Sequence, residues 1–354
     1  MLKMVSQSEL AALVADLVAA KTRVIAPVQA KDNAERTDYS SIQRLEDAVL
    51  GGTLPRRSLK EFFLPPSEVL LRYRQKKGEV EFEEISSTFS PTVILGAWPC
   101  DAAGTEILDK VMGWDYRDEL WFGRREATTV VSLACPGVDS SCFCSAVGVG
   151  PDSTKGSDVL LVPVDGGYLA QVVTPKGEAL LSSCGQVVSD DAASSAPESF
   201  CKTARDKVEK NLPAVPAVMA EWLAKSFDHA YWKTLALACH GCGACASVCP
   251  TCHCFDIADE HERHDQGVRR RNWDSCQTPK FTIHASGHNP RQTQSERFRQ
   301  RVMHKFSIYP QRFDSLLCTG CGRCARVCSA GMNLPEIVGQ LIDLAGAEPQ
   351  GSGQ

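Results

Sequence analysis

Short apolar runs separated by turn residues dominate the first half of the chain, whereas the second half carries apolar residues spaced three and four apart. The short runs are typical of strands, and the wider spacing is typical of helices. Strands are predicted at residues 24–28, 80–83, 92–97, 128–133, 159–162 and 168–173. Helices are predicted at residues 10–20, 107–111, 217–227, 229–237, 295–305 and 334–344. Together these elements predict an α+β fold.

Local signals support two of these elements. Ser6 and Glu9 have the spacing of a capping box at the start of the first helix. The turn sequence Asp165-Gly166-Gly167 joins the last two predicted strands, which therefore form a predicted hairpin.

The small polar segment 192–197 is interpreted as the start of a linker between two domains. We predict an N-terminal α/β domain over residues 1–195 and a mainly helical domain over residues 196–347. Residues 348–354 are predicted to form a disordered tail.

Composition excludes several classes of protein. Hydrophobic residues make up 43% of the chain and charged residues 23%, as in ordinary soluble proteins. No apolar run approaches the roughly eighteen residues of a membrane helix, so no membrane insertion is expected. The apolar stretch 10–20 carries Asp16, which argues against an export signal. The net charge of −5 argues against general nucleic-acid binding, and a cytoplasmic location is predicted.

Cysteine is the unusual residue, with seventeen copies. Two runs have the spacing C-x2-C-x2-C-x3-C, which is the spacing of bacterial ferredoxins that bind [4Fe-4S] clusters. In two-cluster ferredoxins the fourth cysteine of each run binds the other cluster. The helical domain is therefore predicted to be ferredoxin-like and to hold two clusters. The predicted ligand sets are Cys239, Cys242, Cys245 and Cys328 for the first cluster, and Cys318, Cys321, Cys324 and Cys249 for the second.

A pair of zinc knuckles is the alternative interpretation of these runs. Zinc takes four ligands arranged two and two, which leaves no role for a third cysteine two residues further on. The spacing therefore favours iron–sulfur clusters.

Four cysteines of the N-terminal domain are candidates for a third cluster. They are Cys100, Cys135, Cys142 and Cys144. Cys100 and Cys135 follow two predicted strands, and parallel strands would bring the loops after them to one sheet edge, where α/β folds place ligands. A cysteine-rich loop or a zinc site is the alternative.

The remaining cysteines have weaker signals. Cys252, Cys254 and Cys276 supply three thiols near His253, so either a further metal site or packing around the first cluster fits them. Cys184 and Cys201 stand alone and are interpreted as small buried side chains.

Positive charge is concentrated between residues 262 and 312, where eleven Arg and Lys residues face four acidic residues. A solvated face is the usual meaning of such a run. Inside a cluster domain, docking of an acidic partner or screening of anionic clusters fits equally well. Positive charge near a cluster raises its reduction potential.

Nucleotide-binding motifs are missing from the sequence. No G-x-G-x-x-G follows a predicted strand, and no P-loop is present. No bound flavin or nucleotide is therefore expected.

Six ordered motifs resemble one protein family. They are Phe63-Leu64-Pro65-Pro66-Ser67-Glu68, Trp98-Pro99-Cys100-Asp101, Cys142-Phe143-Cys144, Cys249-Pro250-Thr251-Cys252-His253-Cys254-Phe255, Gly287-His288-Asn289-Pro290-Arg291 and His304-Lys305-Phe306. From about residue 60 to 340, the chain is similar to the family that contains the iron–sulfur subunit of anaerobic sulfite reductase and the beta subunit of archaeal sulfhydrogenases.

The resemblance implies a cytosolic iron–sulfur electron carrier without catalytic residues of its own. Family members sit between a flavin subunit that takes electrons from a nicotinamide nucleotide and a terminal redox subunit, either sulfite reductase or hydrogenase. The rival hypothesis is a self-contained oxidoreductase that binds substrate or flavin near Cys100. A scaffold stabilised by its clusters is a third interpretation.

Overall fold

The computed structural model describes residues 1–85, 88–188 and 191–347. The predicted tail at 348–354 lies outside these residues. Within the described ranges the chain forms two sheets and a set of helices, which confirms the α+β prediction. In the same ranges, no helix combines the length and apolar character needed to cross a bilayer.

The strands follow one another along most of the chain. In chain order they are Leu2–Ser6 (β1), Arg23–Ala30 (β2), Asn33–Ile42 (β3), Ser67–Lys76 (β4), Glu79–Glu84 (β5), Thr92–Ala97 (β6), Thr128–Leu133 (β7), Val159–Val164 (β8), Gly167–Val172 (β9), Gln186–Val188 (β10), Phe255–Arg263 (β11) and Gln266–Trp273 (β12).

The helices concentrate in the second half. They are Gln7–Ala19 (α1), Lys60–Phe63 (α2), Pro99–Met112 (α3), Glu119–Ala127 (α4), Pro175–Leu180 (α5), Asp191–Asn211 (α6), Ala217–Lys225 (α7), Tyr231–Leu235 (α8), Ala244–Ser247 (α9), Gln294–Met303 (α10), Tyr309–Phe313 (α11), Arg323–Arg326 (α12) and Leu334–Ala347 (α13). A π-helical turn, His304–Ile308, joins α10 to α11.

The larger sheet has the strand order β10-β1-β9-β8-β7-β6-β2-β3. Its centre is parallel, because β2 with β6, β6 with β7, and β7 with β8 all run in the same direction. The predicted hairpin is confirmed as β8 and β9. Strands β6 and β7 are buried on both faces, and the polar residues that they contain are only the small Thr and Ser.

Helices cover both faces of this sheet. On one face, Leu10 and Val14 of α1 join a buried cluster with residues of β2 and β7, and the predicted capping box of Ser6 and Glu9 is present. On the other face, Leu108 of α3 and Trp121 of α4 join a cluster with residues of β6 and β7. The carboxyl ends of β6 and β7 stay open for the loops that carry cysteines.

The smaller sheet joins the two halves of the chain, and sequence patterning predicted only its strand β5. Its order is β11-β12-β4-β5, all antiparallel. The β11–β12 hairpin lies between the two cysteine runs, yet β12 pairs with β4 from the N-terminal half. The segment between the runs is therefore a hairpin and loops as well as helix.

The predicted linker at 192–197 is wrong, because this segment is the beginning of α6. Its alanines are strong helix formers, and Pro197 lies inside the helix. Further along α6, Cys201 joins Leu160 and Leu169 of the large sheet in a buried cluster. The domain boundary near residue 195 thus falls within a helix that packs on the N-terminal sheet.

Candidate iron–sulfur centres

The two cysteine runs have the same backbone conformation. Gly241 and Gly243 in the first run have φ of +68° and +76°, and Gly320 and Gly322 in the second have +63° and +71°. Residues other than glycine rarely adopt this left-handed backbone conformation. In each run a one-turn helix follows, α9 or α12, and the fourth cysteine comes just after that helix. The structure thus repeats the loop geometry as well as the spacing.

The first predicted ligand set lies around one cavity. Its four cysteines are among the lining residues: Cys239, Cys242, Cys245 and Cys328. The other walls are mainly apolar and include Phe298 and Met332. The Gln294 side-chain amide donates to the Cys239 Sγ at 3.2 Å, and the Met332 backbone N–H donates to the Cys328 Sγ at 3.3 Å. Such hydrogen bonds to sulfur are a feature of cluster sites.

The second predicted set is also brought together. Burial raises the pKa of the Cys324 thiol to about 12, and the nearby charges of Cys249, Cys321 and Cys318 add to this effect, while Arg301 opposes it. Burial likewise raises the pKa of Cys318 to about 11. Without metal these thiols are therefore neutral, whereas a bound metal ion would deprotonate them. Four convergent thiols suit the thiophilic iron of a cluster.

The four N-terminal cysteines line a single cavity of about 590 Å³. Cys100 lies in the first turn of α3 after β6, and Cys135 lies two residues beyond β7. Cys142 and Cys144 reach the same cavity from the following loop. Because β6 and β7 are parallel, their ends meet at one sheet edge, as the sequence predicted. Burial raises the pKa of Cys135 and of Cys144 to about 12.

This third group of cysteines borders the second. The Phe143 backbone N–H donates to the Gly320 carbonyl oxygen at 2.8 Å. Cys321, from the second predicted set, lines the N-terminal cavity. A Cβ atom at Gly320 would lie only 2.5 Å from the Cys144 Cα atom, so the two loops approach as closely as their backbones allow.

An ion pair ties the same two regions together. The Arg323 guanidinium, at the start of α12, donates to the Asp101 carboxylate at 2.6 Å, and the Tyr39 hydroxyl donates to that carboxylate at 2.8 Å. Both charged side chains are fully buried. Burial raises the pKa of Asp101, and the Arg323 charge opposes this rise.

Comparisons with known proteins agree with this geometry. Residues 238–332 match the family described as a 4Fe-4S dicluster domain. Over 313 residues the chain is 32% identical to sulfhydrogenase 2 subunit beta of Pyrococcus furiosus, covering 87% of this chain and 89% of the relative. The chain belongs to the sulfhydrogenase beta-subunit family. No solved structure matches it.

Membership of the sulfhydrogenase beta-subunit family confirms the resemblance drawn from the six motifs. It also confirms that the chain is an iron–sulfur electron-transfer subunit with a [4Fe-4S] dicluster domain. The individual ligands stay predictions.

The remaining cysteines of this sulfhydrogenase beta-subunit homologue occupy different surroundings. A hydrogen bond with Cys254 lowers the pKa of Cys276 to about 5, and these two thiols lie at the base of the β11–β12 hairpin. Cys252 is hydrogen-bonded to Cys249. Within the described residues, no group of three or more His, Cys, Asp or Glu side chains lies close enough together to hold a single metal ion. The four thiols of a [4Fe-4S] cluster each bind a different iron atom and lie further apart, so this finding concerns single-ion sites only. Cys184 is buried in an apolar cluster, as Cys201 is.

Sequence patterning missed three buried cations of this family member. Arg301, Lys305 and Lys60 are at most 4% exposed. Lys60 lies over the Trp273 ring and donates to the carbonyl oxygens of Cys252 at 2.9 Å and Ala246 at 3.3 Å. Arg301 and Lys305 contact cysteine sulfur. Arg301 and Lys305 lie on the same helical stretch as the apolar Phe298 and Val302, which are buried, and this placement is the sequence signal that could have indicated their burial.

Proposed function

We propose that the chain relays electrons, one at a time, between a flavin subunit that oxidises NAD(P)H and a terminal redox subunit of the hydrogenase or sulfite reductase type. The observation that supports this best is the contiguity of the three cysteine groups. Cys321 belongs to the second group and lines the cavity of the third, and Cys324 belongs to the second group and lines the cavity of the first.

In this proposal each group holds one [4Fe-4S] cluster, which supplies reversible one-electron chemistry when bound. Cys239, Cys242, Cys245 and Cys328 hold the first cluster. Cys318, Cys321, Cys324 and Cys249 hold the second. The third is held by Cys100, Cys135, Cys142 and Cys144.

Because the second cysteine group borders both the first and the third, it lies in the middle of the series of three groups. Cys242 of the first group is exposed, so this end of the series lies at the protein surface. The third group opens into the cavity beside β6 and β7. One partner subunit would therefore dock at the loop around Cys242 and the other near the N-terminal cavity. The relative is named as a subunit, which agrees with a multisubunit assembly.

Seventeen cysteines, twelve of them cluster ligands in this proposal, favour a reducing, cytoplasmic location for the assembly, because oxidising compartments convert such thiols to disulfides.

A second candidate function uses the N-terminal cavity differently. Its volume of about 590 Å³ falls within the range of small-molecule sites, about 300–1,000 Å³. The chain would then bind a substrate or a flavin beside Cys100 and act as a self-contained oxidoreductase. Stoichiometric flavin in the purified chain, or turnover by the chain alone, would favour this candidate over the relay.

Metal content tests the relay proposal. Anaerobically purified full-length protein should contain about twelve iron and twelve sulfide per chain, four of each for every cluster. The Cys135→Ser and Cys144→Ser variants should each lose about four iron, because both thiols belong to the third group. The Cys184→Ser variant is the matched control and should lose none, since Cys184 is buried away from the three groups.

Other outcomes have separate meanings. About eight iron, unchanged in the Cys135→Ser and Cys144→Ser variants, would remove the third cluster and retain the other two. About sixteen iron would indicate a further site at Cys252, Cys254 and Cys276. Zinc without sulfide would contradict the relay proposal altogether.

A further inference from the structure

Arg301 and Lys305 are buried cations placed between the first and second cysteine groups. They lie four residues apart, on α10 and the π-helical turn that follows it, and are 3% and 2% exposed. Among the described residues, neither forms an ion pair with a carboxylate. A buried charge without a counter-charge is strongly unfavourable, so negative charge is expected close to each.

The contacts show that cysteine sulfur takes that place. The Arg301 guanidinium donates to the Cys252 Sγ at 3.1 Å and to the Cys245 carbonyl oxygen at 3.2 Å. The Lys305 ammonium donates to the Cys249 Sγ at 3.4 Å. Arg301 also lines the cavity of the first group, and Lys305 contacts a thiol of the second group.

Arg323 offers a contrast, because it is equally buried near Cys321 but is paired with the Asp101 carboxylate. Arg301 and Lys305 instead contact cysteine sulfur together with carbonyl and hydroxyl oxygens.

We propose that Arg301 and Lys305 set the reduction potentials of the first and second clusters. The inference rests on the proposed function, in which these cysteines hold [4Fe-4S] clusters. Reduction adds one electron, and hence one negative charge, to a cluster, with no bond broken. The electron comes from the flavin subunit. A fixed cation in a region of low dielectric stabilises the reduced form more than the oxidised form, so it raises the potential.

Lys305 also has a structural role that the test must separate from its charge. Its ammonium donates to the Thr251 hydroxyl oxygen at 3.0 Å and to the Leu317 carbonyl oxygen at 2.8 Å. These bonds tie the loop after the first run to the loop before the second. A variant that keeps the charge should therefore be compared with one that removes it.

The experiment is an EPR-monitored redox titration of the full-length protein with its clusters. At the wild-type midpoint potential, the ratio of reduced to oxidised second cluster should be at least tenfold lower in Lys305→Met than in the wild type. A tenfold change corresponds to about 59 mV for one electron. Lys305→Arg should restore the wild-type midpoint. Arg301→Met should lower the midpoint of the first cluster, and Arg301→Lys should restore it.

Arg299→Met is the matched control on the same helix. Arg299 stacks on Phe227 and forms an ion pair with Asp228, so its loss should leave both midpoints unchanged. Unchanged midpoints in Lys305→Met and Arg301→Met, with iron content intact, would overturn the inference.

If Lys305→Met and Arg301→Met retain too little cluster for the titration, the iron content of the variants tests the inference instead. Loss of iron from Lys305→Met and Arg301→Met, with retention in Lys305→Arg and Arg301→Lys, would support a requirement for the charge. Loss from all four would show that only side-chain shape matters and would overturn the inference. Wild-type protein without iron and sulfide would instead contradict the proposed function itself.

Discussion

Cys249→Ala should remove the cluster of the second cysteine run and leave the cluster of its own run in place. The Lys305 ammonium contacts both the Cys249 Sγ at 3.4 Å and the carbonyl oxygen of Leu317 at 2.8 Å, so the Cys249 thiol lies beside the start of the second run. Cys328 of the second run lines the first cavity instead. We expect Cys249→Ala to lose about four iron per chain, measured together with sulfide after anaerobic purification.

Double variants identify which cluster is lost. Adding Cys318→Ala to Cys249→Ala should cause no further loss of iron, because both thiols would serve one cluster. Adding Cys239→Ala should remove about four more. The reverse pattern would show that each run closes its own cluster and that the proposed exchange of fourth ligands is wrong. Cys184→Ala, in an apolar cluster of the large sheet, controls for the loss of a buried thiol.

Asp101→Ala should strongly destabilise the fold at the junction between the N-terminal sheet and α12. The substitution leaves the Arg323 guanidinium buried without its carboxylate, and it also removes the acceptor of the Tyr39 hydroxyl. Breaking a buried ion pair from one side costs about 3–5 kcal/mol. We expect a corresponding fall in the free energy of unfolding, followed by urea denaturation under anaerobic conditions.

The exposed ion pair of Arg44 and Asp47 provides the control for this prediction. Its partners are separated by 3.4 Å at the surface, so Arg44→Ala, which keeps the backbone hydrogen bonds that Asp47 accepts, should leave the urea midpoint unchanged. Equal midpoints for Asp101→Ala and the wild type would mean that the buried pair does not hold the junction together.

The sequence was most informative where one local signal determines an element. The predicted bounds of β6 and β7 match the structure, because strands buried on both faces are rich in apolar and β-branched residues. The convergence of Cys100 and Cys135 followed from the parallel direction of these two strands.

Elements stabilised by distant partners were not predictable in this way. Strands β11 and β12 are held in part by charge pairs, with Arg269 to Asp259 at 2.8 Å and Arg270 to Glu260 at 3.0 Å. Such strands lack the apolar alternation that indicates a half-buried strand. In α10, the charge of Arg301 suggested solvent exposure, because nothing local shows that cysteine sulfur lies opposite.

The pairing of β12 with β4 also determines how the chain can be cut. A fragment that ends near residue 195 would lack β12, so the whole length of β4 opposite it would expose unpaired N–H and carbonyl groups. The outer strand β5 would remain, with Phe82 68% exposed. An open strand edge beside exposed apolar residues is a template for aggregation. Precipitation of such a fragment would therefore report the missing hairpin and say nothing about whether its four cysteines can assemble a cluster.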